Sequence, residues 1–164
     1  MSISIGFPGN IIGDYMKVPE FKLPADDGTI FDSKSLNGTW RVFFFYAKDG
    51  SPTCKRGCLT FREQYDLFTS AGCEVVGISQ NPQEKHVEFA KSFQGGLPFR
   101  LLADVDREVA KSFNVPMHLG LFPAKSSFLV GPDDEIKHVY DWLFRPRRHV
   151  AKILRDIEKL RSGD

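Results

Sequence analysis

The chain has 164 residues, 41% of them hydrophobic, with 22 basic residues nearly cancelling 21 acidic ones. That is enough apolar content for one core without disulfide staples, so a single domain over residues 1–164 is expected. The near-neutral balance makes no case for nucleic acid or an anionic membrane as partner, and three cysteines, few and odd in number, point to a reducing, cytoplasmic setting.

In chain order, Met1 to Met16 lacks a basic n-region and is broken by Gly6, Pro8, Gly9 and Gly13, so it resembles neither a signal peptide nor an Arg-rich transit peptide. No apolar run reaches the roughly 18 residues of a membrane span, so a soluble chain is expected. Phe21-Lys22-Leu23, Asp26-Asp27-Gly28 and Thr29-Ile30-Phe31 predict a β-hairpin with a tight Asp-Gly turn. Arg41 to Tyr46 is an apolar run suited to a central strand covered on both faces, and Val75 to Ser79 is a second. Asn81-Pro82 predicts a helix start, with Asn81 as cap, running to about Phe93.

Arg100 to Leu102 predicts a third strand, followed by a helix over Arg107 to Phe113 that Asp104 or Asp106 caps. Ser127 to Val130 and Ile136 to Tyr140, joined by Pro132-Asp133-Asp134, predict an antiparallel hairpin. Val150, Ile153, Leu154, Ile157 and Leu160 recur at helical spacing and close the chain. The fold class is therefore α/β: a central mixed sheet flanked by helices. Its element order is that of a thioredoxin-like fold with an N-terminal β-hairpin extension.

The segment from Phe43 to Cys58 carries the chemistry. A buried strand enters a turn-rich loop, and Ser51-Pro52-Thr53 places Cys54 in the first turn of a helix, where unpaired N–H groups and the positive dipole end favour a thiolate. Cys54, Cys58, Phe61, Tyr65 and Phe68 fall on one stripe of that helix, so both thiols face inward. Cys58 is either the partner of a Cys54 sulfenic acid or a small apolar core residue. In an intact helix, Cβ atoms at i and i+4 are about 5–6 Å apart, whereas a disulfide needs about 3.5–4.5 Å. The first turn must therefore unwind, and Gly57 between the cysteines weakens it by roughly 1 kcal/mol relative to alanine. Cys73 is expected to be a buried structural thiol. His86, His118, His138 and His149 show no ligand spacing with the cysteines and are expected at the surface or in loops.

These blocks resemble the peroxiredoxins, and within them the peroxiredoxin Q or bacterioferritin-comigratory-protein group, from about Gly13 to Leu160. Pro19 to Pro24, Phe43 to Arg62, Glu74 to Ser79, Leu97 to Asp104 and Ser127 to Val130 carry the likeness, in the right order. Val115-Pro116 and Leu121 to Lys125 are especially similar to plastid members, so an organellar or plastid location joins the cytoplasmic one as an expectation. The resemblance implies a thiol peroxidase that reduces hydrogen peroxide and organic hydroperoxides through Cys54. It implies no metal, haem or flavin, a thioredoxin-like or other thiol reductant, and, since many relatives are monomers, a monomer.

Four positions depart from the family pattern. Ala47 stands where the family has proline and removes a ring that shields the thiol. Ser51 replaces threonine and keeps the hydroxyl for the peroxide and thiolate. Lys125 replaces an arginine, keeping the charge but not the planar fork, with Arg62 as the substitute to check. Cys58 lies four residues after Cys54, where helical resolving cysteines of the group lie five on, the position of Leu59. An external thiol is thus an alternative resolver, and a thiol–disulfide oxidoreductase or a redox sensor is the alternative activity.

Overall fold

The computed structural model describes residues 11–12, 15–118, 122–123, 125–141 and 146–163. Its elements are β1 (Ile11–Ile12), β2 (Tyr15–Lys17), β3 (Lys22–Pro24), β4 (Ile30–Asp32), a 3-10 turn (Ser33–Leu36), β5 (Trp40–Phe45), α1 (Pro52–Glu63), α2 (Tyr65–Ser70) and β6 (Cys73–Ser79). There follow α3 (Gln83–Lys91), β7 (Arg100–Ala103), α4 (Glu108–Ser112), β8 (Met117–His118), β9 (Phe122–Pro123), β10 (Ser126–Val130), β11 (Glu135–Asp141) and α5 (Pro146–Ser162).

Seven strands form one mixed sheet in the order β1-β2-β11-β10-β5-β6-β7. The β5–β6 and β6–β7 pairs are parallel, and β10 is antiparallel to both β5 and β11. This is the thioredoxin-like arrangement of a central mixed sheet flanked by helices. The β3–β4 hairpin forms a separate two-stranded sheet that meets β7 through the Ala25–Leu102 bridge. No helix among the described residues is long and apolar enough to cross a membrane.

Strand β5 runs through the middle because its side chains are apolar on both faces. Val42, Phe44 and Tyr46 point into one cluster with Cys54, Cys58, Phe61 and Phe68, which Phe89 of α3 and Val150, Ile153 and Ile157 of α5 complete. Phe43 and Phe45 point into the other, with Val76, Ile78, Phe113 and Phe128. Burying each such ring contributes on the order of 1.5–3 kcal/mol. Gly77 of β6 fits the ring beside it, since a Cβ there would lie 2.7 Å from Phe44 Cζ and 2.8 Å from Leu101 Cδ2. Phe44 in turn stacks on Phe61, with centroids 4.5 Å apart, and so seats α1 on the sheet.

Local details differ from the sequence reading. The hairpin turn is longer than an Asp-Gly pair: Gly28 N–H donates to the Ala25 carbonyl, Ala25 N–H to the Thr29 carbonyl, and Gly28 sits at φ +85°. Helix α3 starts after Pro82 without a side-chain cap, because Asn81 Oδ1 instead accepts from the Asp49 N–H at 2.8 Å. Asp104 caps α4, accepting from Val109 N–H at 3.1 Å and Ala110 N–H at 2.9 Å. The predicted cysteine helix breaks at Gln64 into α1 and α2.

The expectation of surface histidines is corrected at two positions. His86 is wholly buried and His149 is buried, because both stand on the apolar faces of their helices. His149 Nε2 lies 2.8 Å from Ser127 Oγ, and its ring meets Phe61 at 6.0 Å. Burial, helped by the charge of Lys152, pulls the His149 imidazole down to about 3. The side chain of His118 lies outside the described residues, as do Leu121, Ala124 and most of the chain before Tyr15.

Candidate active site

Strand β5 delivers the chain to a loop at its C-terminal end, where Gly50 takes φ +83°, a conformation open to glycine. Ser51 then takes an extended conformation at φ −67°, ψ 135°, as an N-cap residue does. Its Oγ accepts from the Cys54 N–H at 3.2 Å, and its carbonyl accepts from the Lys55 N–H at 2.9 Å. Pro52 occupies the first helical turn, where its missing N–H costs nothing. Cys54 is thus fixed at the positive end of α1 with no exposed surface. Lys55 and Arg56 are exposed, with the Lys55 ammonium 5.5 Å over the Phe93 ring.

Cys58 lies one turn further on, 1% exposed, in the same cluster. Burial pushes its thiol well above the ordinary value, and negative charge on Cys54 and Asp49 pushes the same way. While α1 is wound, Cys58 is therefore held protonated, the weakly nucleophilic form.

Sequence reasoning missed a buried polar cluster beneath the loop. Asp49 Oδ1 accepts from the Tyr46 hydroxyl at 2.7 Å, and Asp49 Oδ2 lies 2.7 Å from His86 Nδ1. His86 Nε2 lies 3.4 Å from Ser79 Oγ, which accepts from the Asn81 N–H at 3.1 Å. Burial first, then the charge and hydrogen bond of Asp49, raise the Tyr46 hydroxyl well above its ordinary value. The available signal was spacing: His86, Phe89, Ala90 and Phe93 repeat at three, four and seven residues, which aims the imidazole inward.

The remaining candidates separate by sheet register. Cys73 is the first residue of β6 and pairs with Trp40 at the start of β5. The length of β5, about 17 Å at 3.3 Å per residue, therefore lies between Cys73 and the end of the sheet that carries Cys54. A disulfide allows Cα atoms only about 4.4–6.8 Å apart, so the register keeps Cys73 out of reach of Cys54. Burial also raises the Cys73 thiol far above its ordinary value.

Lys125 precedes Ser126, which pairs with Phe45, so it stands at the level of Tyr46 beside the loop. It is half-buried, and its ammonium forms no ion pair with a described residue. Arg62 stands eight residues after Cys54, about 12 Å of helical rise. It is half-buried and likewise forms no ion pair with a described residue. Ala47 is half-buried and packs against the cysteine cluster. A groove of about 830 Å³ between α1, α2 and α5, lined by Gln64, Leu67, Leu154 and Arg155, includes neither cysteine. Among the described residues no three His, Cys, Asp or Glu side chains group to hold a metal ion.

Residues 15–139 match the sequence profile of the AhpC/TSA family. A relative from Oryza sativa subsp. japonica, named peroxiredoxin Q, chloroplastic, is 32% identical over 143 residues, covering 87% of this chain and 65% of its own length. The chain thus spans just under two thirds of that relative. Peroxidoxin BcpB from Mycobacterium tuberculosis superposes with a TM-score of 0.80 at 27% identity, over 89% of this chain and 96% of its own. Peroxiredoxin Q of Xanthomonas campestris does so with a TM-score of 0.76 at 26% identity, over 84% and 89%.

Proposed function

Because the chain belongs to the AhpC/TSA family, we propose that it is a thiol-dependent peroxidase acting on hydrogen peroxide and organic hydroperoxides. The observation that carries this reading is Cys54 itself, buried in the first turn of α1 with its amide held by Ser51. The Cys54 thiolate attacks the distal oxygen of the peroxide, the S–O bond forms as the O–O bond breaks, and water or an alcohol leaves with a proton. The start of α1 and the charge of Lys125 stabilise the thiolate, while Ser51 Oγ and nearby N–H groups orient the peroxide.

The sulfenic acid is then resolved by Cys58. Its sulfur attacks the Cys54 sulfur, the S–S bond forms, and the S–O bond breaks to release hydroxide, which takes up the thiol proton as water. A thioredoxin-like dithiol returns the disulfide to two thiols, in a compartment that keeps thiols reduced, cytoplasm or plastid. The protonated state of wound-in Cys58 favours a second route in which an external thiol takes this step.

Cys54→Ser is expected to abolish peroxide consumption in a reductant-coupled assay, and unchanged consumption would overturn the reading. Mass spectrometry after one equivalent of peroxide, with and without Cys58→Ser, separates the two routes. An internal disulfide reports the first, a persisting sulfenic acid the second.

A further inference from the structure

The loop that carries Cys54 is tied down at one residue. Lys48 and Gly50 are exposed, and the bonds of Ser51 go to α1 itself. Among the described residues, each hydrogen bond joining residues 47–51 to another element runs through Asp49. Its N–H donates to Asn81 Oδ1, one carboxylate oxygen accepts from Tyr46, and the other lies 2.7 Å from His86 Nδ1. A carboxylate only accepts, so His86 donates through Nδ1. Tyr46 and His86 have no exposed surface, and the Tyr46 hydroxyl also lies 3.2 Å from His86 Nδ1, so lifting Asp49 away removes the charged acceptor that both share and leaves each only its contact with the other.

The geometry of Cys54 and Cys58 requires this same loop to yield, because their i, i+4 spacing cannot close a disulfide until the first turn of α1 unwinds. We infer, on the peroxidase reading above, that Asp49 and His86 are positioning residues. Their pairing sets the balance between the wound turn, in which Cys54 meets peroxide, and the unwound turn, in which Cys54 and Cys58 join. Among the described residues neither side chain of the pair hydrogen-bonds Cys54 or Cys58. The pair acts through the loop, so weakening it slows the first step and speeds the second; since the charge of Asp49 also helps hold the Cys58 thiol protonated, His86→Gln, which keeps that charge, isolates the contribution of the loop.

The test uses the full chain and two nearly isosteric variants, Asp49→Asn and His86→Gln, so that one carries the experiment if the other fails to fold. Hydrogen exchange of the amides at 53–58 should rise about tenfold, while those of β5 and α5 stay as in the unaltered chain. In single turnover with hydrogen peroxide, Cys54 oxidation should slow and Cys54–Cys58 disulfide formation should quicken, each by about threefold or more. A general loss of stability would raise exchange throughout the molecule instead, and that result overturns the inference. So does unchanged exchange at 53–58, or a change of both chemical rates in the same direction. Should the unaltered chain consume no peroxide, the peroxidase reading fails. Exchange, together with the fraction of Cys54–Cys58 disulfide formed against oxidised glutathione, still decides the role of the pair.

Discussion

Replacing Ser51 with alanine removes one acceptor and little else. The lost bond is the 3.2 Å contact from Cys54 N–H to Ser51 Oγ, and loss of a serine N-cap costs about 1 kcal/mol. Glycine at a cap costs only a few tenths of that, so Ser51→Gly should lie close to the unaltered chain, and Ser51→Thr should match it. In urea unfolding, Ser51→Ala should lose about 1 kcal/mol, which for a chain of this size lowers Tm by about 2–4 °C. Since Cys54 has no exposed surface, iodoacetamide, which is bulkier than hydrogen peroxide, reaches it only when the first turn frays. One kcal/mol shifts that opening about fivefold, so alkylation of Cys54 in a Cys58→Ser, Cys73→Ser background should accelerate by that factor. If Ser51→Ala unfolds within about 0.3 kcal/mol of the unaltered chain and alkylates at the same rate, the cap does not hold Cys54 and the reasoning fails.

Two further outcomes follow from positions beside the site. Lys125→Arg should raise the rate of Cys54 oxidation by up to about tenfold, since a fork of donors replaces a point charge; a rate equal in Lys125→Arg, Lys125→Ala and the unaltered chain would show that residue 125 does not face the thiol. His149 is held neutral in the fold at about 3 and titrates near 6.5 when unfolded. The unfolded chain therefore binds the extra proton first, and stability present above about pH 6.5 falls by up to about 1.4 kcal/mol per pH unit towards pH 3. Urea unfolding across that range should show the slope flattened in His149→Gln, and an undiminished slope would refute the assignment.

What could be read from the chain was what depends on local pattern. The apolar run of β5, the helix start that puts Cys54 in a first turn and the inward stripe of Cys54, Cys58, Phe61, Tyr65 and Phe68 each rest on a period or a spacing; each is present, though the stripe is carried by two helices broken at Gln64 and Tyr65 only packs against the cluster. What escaped depends on which element lies across from which. Asn81 has the form of a helix cap, yet tertiary structure draws its side chain to the amide of Asp49. Asp49 lies within the turn-rich loop, and its meaning comes from His86, 37 residues later, on α3. The distance of Cys73 from Cys54 likewise requires the parallel register of β5 and β6, which no single strand encodes.

That register has a consequence for how the molecule ages in peroxide. On the peroxidase reading, and with Cys73 fastened at the far end of the sheet, Cys58 is left as the internal rescuer for an oxidised Cys54, and it is a thiol the fold keeps protonated. Each turnover is then a race between the unwinding of α1 and the arrival of a second peroxide, which would carry the sulfur past sulfenic acid to states that thiols do not reverse. On the peroxidase reading, the working life of the protein is set less by how fast it meets peroxide than by how readily its own first helical turn lets go.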